Sequence, residues 1–151
     1  MKIKLLSTLV LIGFFCMSFS VIKWYANLEE AKKIAQKEHK YILLNFSGSD
    51  WCGPCIRLHK EILENEIFQT YATKSLVMVN ADFPRLKKNQ LPAAQQKIND
   101  GIAERYNSQG IFPLTVLLSE NGKILKQWEG YPKVSTTEFV DEIKWVIDHA
   151  Q

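Results

Sequence analysis

A chain of 151 residues, 46% hydrophobic and 23% charged, has the length and composition of one globular domain with an ordinary core, which excludes two domains, a disordered chain and a low-complexity one. Its 19 Lys and Arg against 16 Asp and Glu give a formal charge of +3. Two of those lysines and no acid lie in an N-terminal leader, which brings +3 to +1 for the rest and argues against the broad basic field of a nucleic-acid binder.

Residues 1–20 stand apart from the fold. Lys2 and Lys4 precede an apolar stretch over residues 5–17, and Ser18-Phe19-Ser20 supplies small residues for cleavage after Ser20. This is the pattern of a secretory signal peptide, and it implies an exported, periplasmic domain over residues 21–151. The alternative is an uncleaved anchor over residues 5–22, near the length of about 20 apolar residues that spans a bilayer. Lipidation of Cys16 fits less well, because bulky Phe15 stands before it. Cleavage leaves Cys52 and Cys55 as the only thiols, too few for a disulfide framework, so the pair is expected to do chemistry.

Past the leader, Asn27 is placed to cap a helix with Glu30 three residues on, a variant of the capping box. Leu28, Ala31, Ile34 and Ala35 share its inner face, and it should end near His39. Tyr41-Ile42-Leu43-Leu44-Asn45-Phe46 is short and apolar and ends on Ser47-Gly48-Ser49, as expected of a strand buried on both faces.

That strand leads into Asp50-Trp51-Cys52-Gly53-Pro54-Cys55. Strand, tight loop and helix put Cys52 at a helix N-terminus, where unpaired N–H groups and the macrodipole favour a thiolate. Cys52 is therefore the candidate nucleophile. Cys55, one turn further in, is suited to resolve a mixed disulfide. Pro54 fits the first helical turn, where its missing N–H loses no partner, and Gly53 leaves room for a partner chain to approach. A lone Cys-x-x-Cys can also be half a zinc site or an inert disulfide; for zinc the remaining candidates are His39, His59, His149 and Cys16, none of them a second ligand pair. No metal is expected.

The helix is predicted to run from Pro54 to about Glu66, with Ile56, His59, Ile62 and Leu63 facing inward. His59 follows Cys55 by four residues and reads either as a packing histidine or as a proton-transfer helper. Residues 75–82 form a second buried strand, completing a βαβ unit. A Lys- and Gln-rich stretch over residues 85–96 then leads to a helix over about residues 93–106, carrying Ile98, Ile102 and Tyr106. Pro113 heads the apolar run 114–118, a position where its lack of an N–H is tolerated. Asn121-Gly122 marks a hairpin turn. Residues 124–129 follow with Ile124, Lys126 and Trp128 alternating against Leu125 and Gln127. Ser135 and Glu138 form a capping box for a last helix with Phe139, Ile143, Val146 and Ile147 inward.

Trp51-Cys52-Gly53-Pro54-Cys55, with the element order that follows it, resembles the thioredoxin superfamily over roughly residues 24–150. The resemblance implies an α/β thioredoxin fold, a central mixed sheet flanked by helices, here with an enlarged connection before the strand that the family heads with a cis-proline. Pro113 matches that proline, and Phe112 departs from the β-branched residue common before it; the pair is the implied substrate-binding edge. The connection over residues 84–110 reads as a surface insertion or as a recognition lip beside the site. The implied activity is thiol–disulfide exchange, with no cofactor beyond a Cys52–Cys55 redox disulfide, and the Gly-Pro spelling leans toward reduction of disulfides in exported proteins. Alternatives are an oxidase or isomerase, or a non-catalytic polypeptide-binding module. The implied partners are disulfide-containing proteins and a membrane-bound thiol donor, and a monomer is expected. The family's buried Asp is replaced by Asn45, which cannot accept a proton at neutral pH. Asp50 is a candidate helper through water, although its charge beside Cys52 would oppose ionisation of that thiol.

Overall fold

The structure, a computed structural model, describes residues 22–150. The leader, with its cleavage, anchor and Cys16 alternatives, lies outside the described residues. Among the described residues, no helix is long and apolar enough to cross a membrane.

Five strands form one mixed sheet in the order β1-β3-β2-β4-β5. They are β1 (Trp24–Tyr25), β2 (Tyr41–Ser47), β3 (Leu76–Asp82), β4 (Leu114–Leu118) and β5 (Ile124–Glu129). β3 runs parallel to β1 and β2, whereas β4 is antiparallel to both β2 and β5. One face, formed by Ile42, Leu44, Phe46, Val77, Val79, Ala81 and Val116, is covered by α1 (Leu28–Glu38) and α4 (Ala93–Tyr106). The other, with Leu43, Met78 and Leu117, is covered by α2 (Gly53–Leu58), α3 (Glu66–Ser75) and α5 (Thr136–His149). Burial on both faces explains why β2, β3 and β4 read as nearly continuous apolar runs, broken only by polar residues such as Asn45, Asn80 and Thr115. Each fully buried Phe, at 46, 68 and 139, contributes roughly 1.5–3 kcal/mol by its removal from water.

Both predicted N-caps form, but only the second is a full capping box, Glu30 making no return bond to Asn27. Asn27 Oδ1 accepts the N–H groups of Glu29 and Glu30, and Ser135 with Glu138 makes the full capping box of α5. His39 ends α1 in the left-handed conformation at φ 53°. Gly122, at φ 83°, makes the hairpin turn between β4 and β5.

Four details differ from the sequence reading. β1 is a two-residue strand too short to carry a periodic signal. The helix after Cys55 does not run to Glu66: the Glu64 N–H reaches back to the His59 carbonyl at 2.9 Å, a π turn spans His59–Leu63, and Asn65 caps a separate α3 by accepting the Ile67 N–H. The inward set is Cys55, Leu58, Ile62 and Leu63, leaving Ile56 and His59 exposed, because Leu58, Ile62 and Leu63 pack into the core beneath the sheet with Phe68 and Phe139. In β5 a bulge sets Leu125 and Lys126 against Leu117 alone, so Leu125 and Trp128 pack on the same face instead of alternating.

Candidate active site

β2 ends at Ser47, and the chain turns through Gly48, Ser49, Asp50 and Trp51 to Cys52, the N-cap of α2. Cys52 and Cys55 are joined by a disulfide with a Cα separation of 5.2 Å, and Cys52 Sγ accepts the Cys55 N–H at 3.3 Å. The same N–H would favour a thiolate on Cys52 once the bond is reduced. The two cysteines are nearly equally covered, 5% and 3% exposed, and differ in position. Cys52 adjoins exposed Gly53 and Pro54, with open space where a Cβ on Gly53 would sit. Cys55 faces inward on the helical turn.

The tight loop depends on Gly48. A Cβ there would collide with the indole of Trp51, and that ring is held on several sides. Its Nε1–H donates to the Phe83 carbonyl at 2.7 Å, its edge meets Phe112 at a centroid distance of 5.4 Å, and the Arg85 guanidinium lies 3.7 Å from its centroid. Phe83 and Phe112 also pack edge to face. The Phe112–Pro113 peptide bond is cis, as the resemblance implied, and Phe112 thereby becomes part of one aromatic cluster with the residue preceding Cys52.

Two carboxylates pin this loop. Asp82, at the end of β3, accepts from Ser47 Oγ at 2.9 Å and from the Ser49 N–H and Oγ at 2.9 and 2.6 Å. Asp50 accepts the N–H groups of Arg85 and Leu86 at 2.9 and 3.0 Å and the Asn89 side-chain amide at 3.0 Å. The Arg85 N–H is the chief reason that its carboxyl lies below the ordinary carboxylate range; desolvation opposes this, and Asn89 and Leu86 add to it. Asp50 was expected beside the thiols as a proton-transfer helper; its oxygens are instead engaged with the 85–89 segment.

Asn45 is 2% exposed and fully partnered: its amide donates to Asn80 Oδ1 at 3.2 Å and its oxygen accepts from Thr115 Oγ1 at 3.4 Å. Register explains the contact, since Asn45 pairs with Asn80 and Ser47 with Asp82 across parallel strands. A cleft of about 390 Å³ opens beside this polar ladder, lined by Ser47, Ser49, Cys55, Ile56, His59, Lys60, Glu64 and Asn80. His59 stacks on Trp24 at 5.7 Å, and its Nδ1 stands 3.1 Å from Glu64 Oε1. Cys55 and His59 thus share one cleft, whereas Asn45 lies behind it. Among the described residues, no three His, Cys, Asp or Glu side chains converge as a metal set.

Sequence reasoning missed Asp82, Phe83, Arg85 and Glu64. The signal for Asp82 was present: Asn80 and Asp82 are polar residues two apart in an otherwise apolar strand, hence on one face of it.

The thioredoxin-like domain family matches residues 28–145. Among known proteins, Disulfide bond reductase DsbH of Chlamydia pneumoniae is 35% identical over 115 residues, which span 76% of this chain and 67% of that protein. Thioredoxin-related protein DsbJ of the same organism is 34% identical over 62 residues, 41% of this chain and 18% of its own length. A solved structure of a DsbH oxidoreductase matches with a TM-score of 0.77 at 30% identity, over 94% of this chain and 95% of that one. A thioredoxin from Thermus thermophilus shares the fold at TM-score 0.63 and 18% identity, over 85% and 88% of the two chains. A disulfide at a helix N-cap and a cis-proline whose preceding Phe112 packs on Trp51, in a chain with these relatives, have one family to belong to: the protein is a member of the thioredoxin-like family and a thiol–disulfide oxidoreductase.

Proposed function

We propose that the protein works in the reducing direction, on disulfides of exported polypeptides. The observation that carries the reading is Cys52 at the N-cap of α2, its sulfur accepting the Cys55 N–H, with Gly53 and Pro54 between the two thiols. The match to a disulfide bond reductase at 35% identity supports the direction.

In the proposed cycle the Cys52 thiolate attacks one sulfur of a substrate disulfide, forming a mixed disulfide and expelling a substrate thiolate that takes up a proton. Cys55, once deprotonated, attacks Cys52 Sγ and expels the second substrate thiolate. The substrate gains two electrons and two protons, and the enzyme is left as the Cys52–Cys55 disulfide. A dithiol donor at the membrane returns the electrons, and residues 1–20 export the domain to meet its substrates as a monomer in the periplasm. Trp51, Phe112 and Pro113 form the edge that receives the polypeptide.

Asn45 cannot take the Cys55 proton. The role falls to His59, which lines the same cleft as Cys55 with its Nδ1 3.1 Å from Glu64 Oε1, histidine being the commonest side chain for such a transfer. Lys60 is the remaining charged group of that cleft.

Insulin reduction by wild type, Cys52→Ser and Cys55→Ala tests the cycle. Both variants should lose turnover, and Cys55→Ala should accumulate covalent adducts that reductant reverses. Insulin left unreduced by wild type and Cys52→Ser alike would leave a binding module, and turnover that survives in Cys52→Ser would remove Cys52 as the attacking thiol. A reduction potential near thioredoxin's, about −270 mV, fits a reductase, and one above about −180 mV reassigns the protein as an oxidase or isomerase.

A further inference from the structure

Residues 84–99 carry Arg85, Lys87, Lys88 and Lys97 and no carboxylate, in a chain whose charge past the leader is near balance. Three of these cations fall between Pro84 and Asn89, on the stretch that Asp50 grips. Arg85 lies over Trp51, the residue before Cys52. Lys87 and Lys88 stand exposed on the short helical turn that follows, beside Leu86, which is 49% exposed. Among the described residues, none of the three is ion-paired with a carboxylate. Asp50, the nearest acid by contact, has its oxygens occupied by the N–H groups of Arg85 and Leu86 and by Asn89. The structure therefore presents three cations without carboxylate partners and one exposed apolar side chain on a backbone segment that Asp50 pins to the active-site loop.

We infer that residues 85–88 are a recognition lip for polypeptides carrying Asp or Glu beside the disulfide to be exchanged. The inference rests on the oxidoreductase reading and adds the class of substrate. Arg85, Lys87 and Lys88 attract the carboxylates, Leu86 contacts a neighbouring apolar side chain, and the aromatic cluster of Trp51, Phe83 and Phe112 forms the floor beside them. Electrostatic complementarity of this kind acts mainly on the encounter rate and is screened by salt.

The test uses the full chain and two peptides with an internal disulfide, identical except that residues flanking each cysteine are Glu in one and Gln in the other. At low ionic strength the dithiol enzyme should reduce the Glu peptide about three- to tenfold faster, with the advantage collapsing near 0.5 M salt. Lys87→Gln with Lys88→Gln should shrink the ratio, and Lys87→Glu with Lys88→Glu should invert it. Equal rates for the two peptides in wild type, or a ratio untouched by the double charge reversal, overturn the lip. If the enzyme instead oxidises the reduced peptides, the direction of the cycle is what fails, and the same ratio measured on oxidation decides the lip. Adsorption to vesicles containing anionic lipid, lost on double reversal and without any peptide preference, would assign these cations to a membrane surface and overturn it as well.

Discussion

Asp50 holds Arg85 by its backbone and leaves its side chain free: Oδ1 accepts the Arg85 N–H at 2.9 Å, while the guanidinium lies 3.7 Å from the centroid of the Trp51 ring. One residue of the active-site loop thus fixes the insertion, and one residue of the insertion covers the loop. If Asp50 is the clasp, Asp50→Ala should release the 85–89 segment while the sheet persists. Amide exchange at Arg85 and Leu86 should lose its protection at pH 7, and trypsin should cut after Arg85, Lys87 or Lys88 faster than in wild type. Unchanged protection in the variant would leave the clasp without effect.

The same contact gives the lip a pH dependence whose sign is fixed. The folded-state carboxyl of Asp50 lies below its ordinary range, so its contribution is complete above the unfolded value of about 3.9 and is lost as pH falls through the lower folded value. Protection of the Arg85 and Leu86 amides, corrected for intrinsic exchange, should hold at pH 5 and decline below about pH 4.

Gly48→Ala should destabilise the fold by about 1–3 kcal/mol, the usual cost of an atom added where neighbours cannot retreat. The Trp51 indole is the neighbour, and it cannot move without breaking its hydrogen bond to Phe83 and its contacts with Phe112 and Arg85. Chemical denaturation reads the cost, and a shift of the Trp51 indole N–H resonance locates it. A variant as stable as wild type with an unmoved resonance would mean that the loop has slack.

Asp82→Ala removes the acceptor of Ser47 and Ser49. The expected loss is about 0.5–1.5 kcal/mol, the net range for ordinary hydrogen bonds, since the Ser49 donors reach water and Ser47 Oγ keeps Asn80 Oδ1 within 3.2 Å. Because Ser49 stands three residues before Cys52, the rate at which iodoacetamide alkylates the reduced protein should also change. A stability loss with no change in that rate would confine Asp82 to a structural role.

His59→Asn addresses the proton on Cys55. In single-turnover experiments that start from the mixed disulfide, release of substrate at pH 7 should slow by about tenfold or more, a modest loss for removal of a general base. The gap should close as pH rises past the range where a free thiol ionises unaided, about 8.5. Glu64→Gln should shift the profile in the same direction by less. Superimposable profiles for wild type and His59→Asn would remove the histidine from the cycle.

What could be read from sequence and what could not divide along physical lines. Strands β2, β3 and β4 are buried on both faces and so are nearly continuous apolar runs. The N-caps at Asn27 and Ser135 are local chemistry, and so is Cys52 at a helix N-terminus. The phase of the helix after Cys55 was hidden, because Ile56 and His59 offered one helical stripe while the core takes Leu58, Ile62 and Leu63. The break at Asn65 carried a cap signal but no Gly or Pro to announce it. The bulge at Leu125 inverts an alternation that looked regular in the chain. The clasps of Asp50 and Asp82 join residues more than thirty positions apart; only strand register brings the second pair together, and only the folded insertion supplies the first.

Two of the three groups that Asp50 grips are main-chain N–H groups, which every residue but proline supplies. The shape of this rim is therefore insensitive to the side chains at residues 87 and 88, which could be exchanged for others without remaking the loop beneath, whereas Arg85 also covers Trp51. In related chains, client preference could diverge there by simple point substitution while the thiol chemistry stays untouched, and an engineer could graft new specificities onto the same frame.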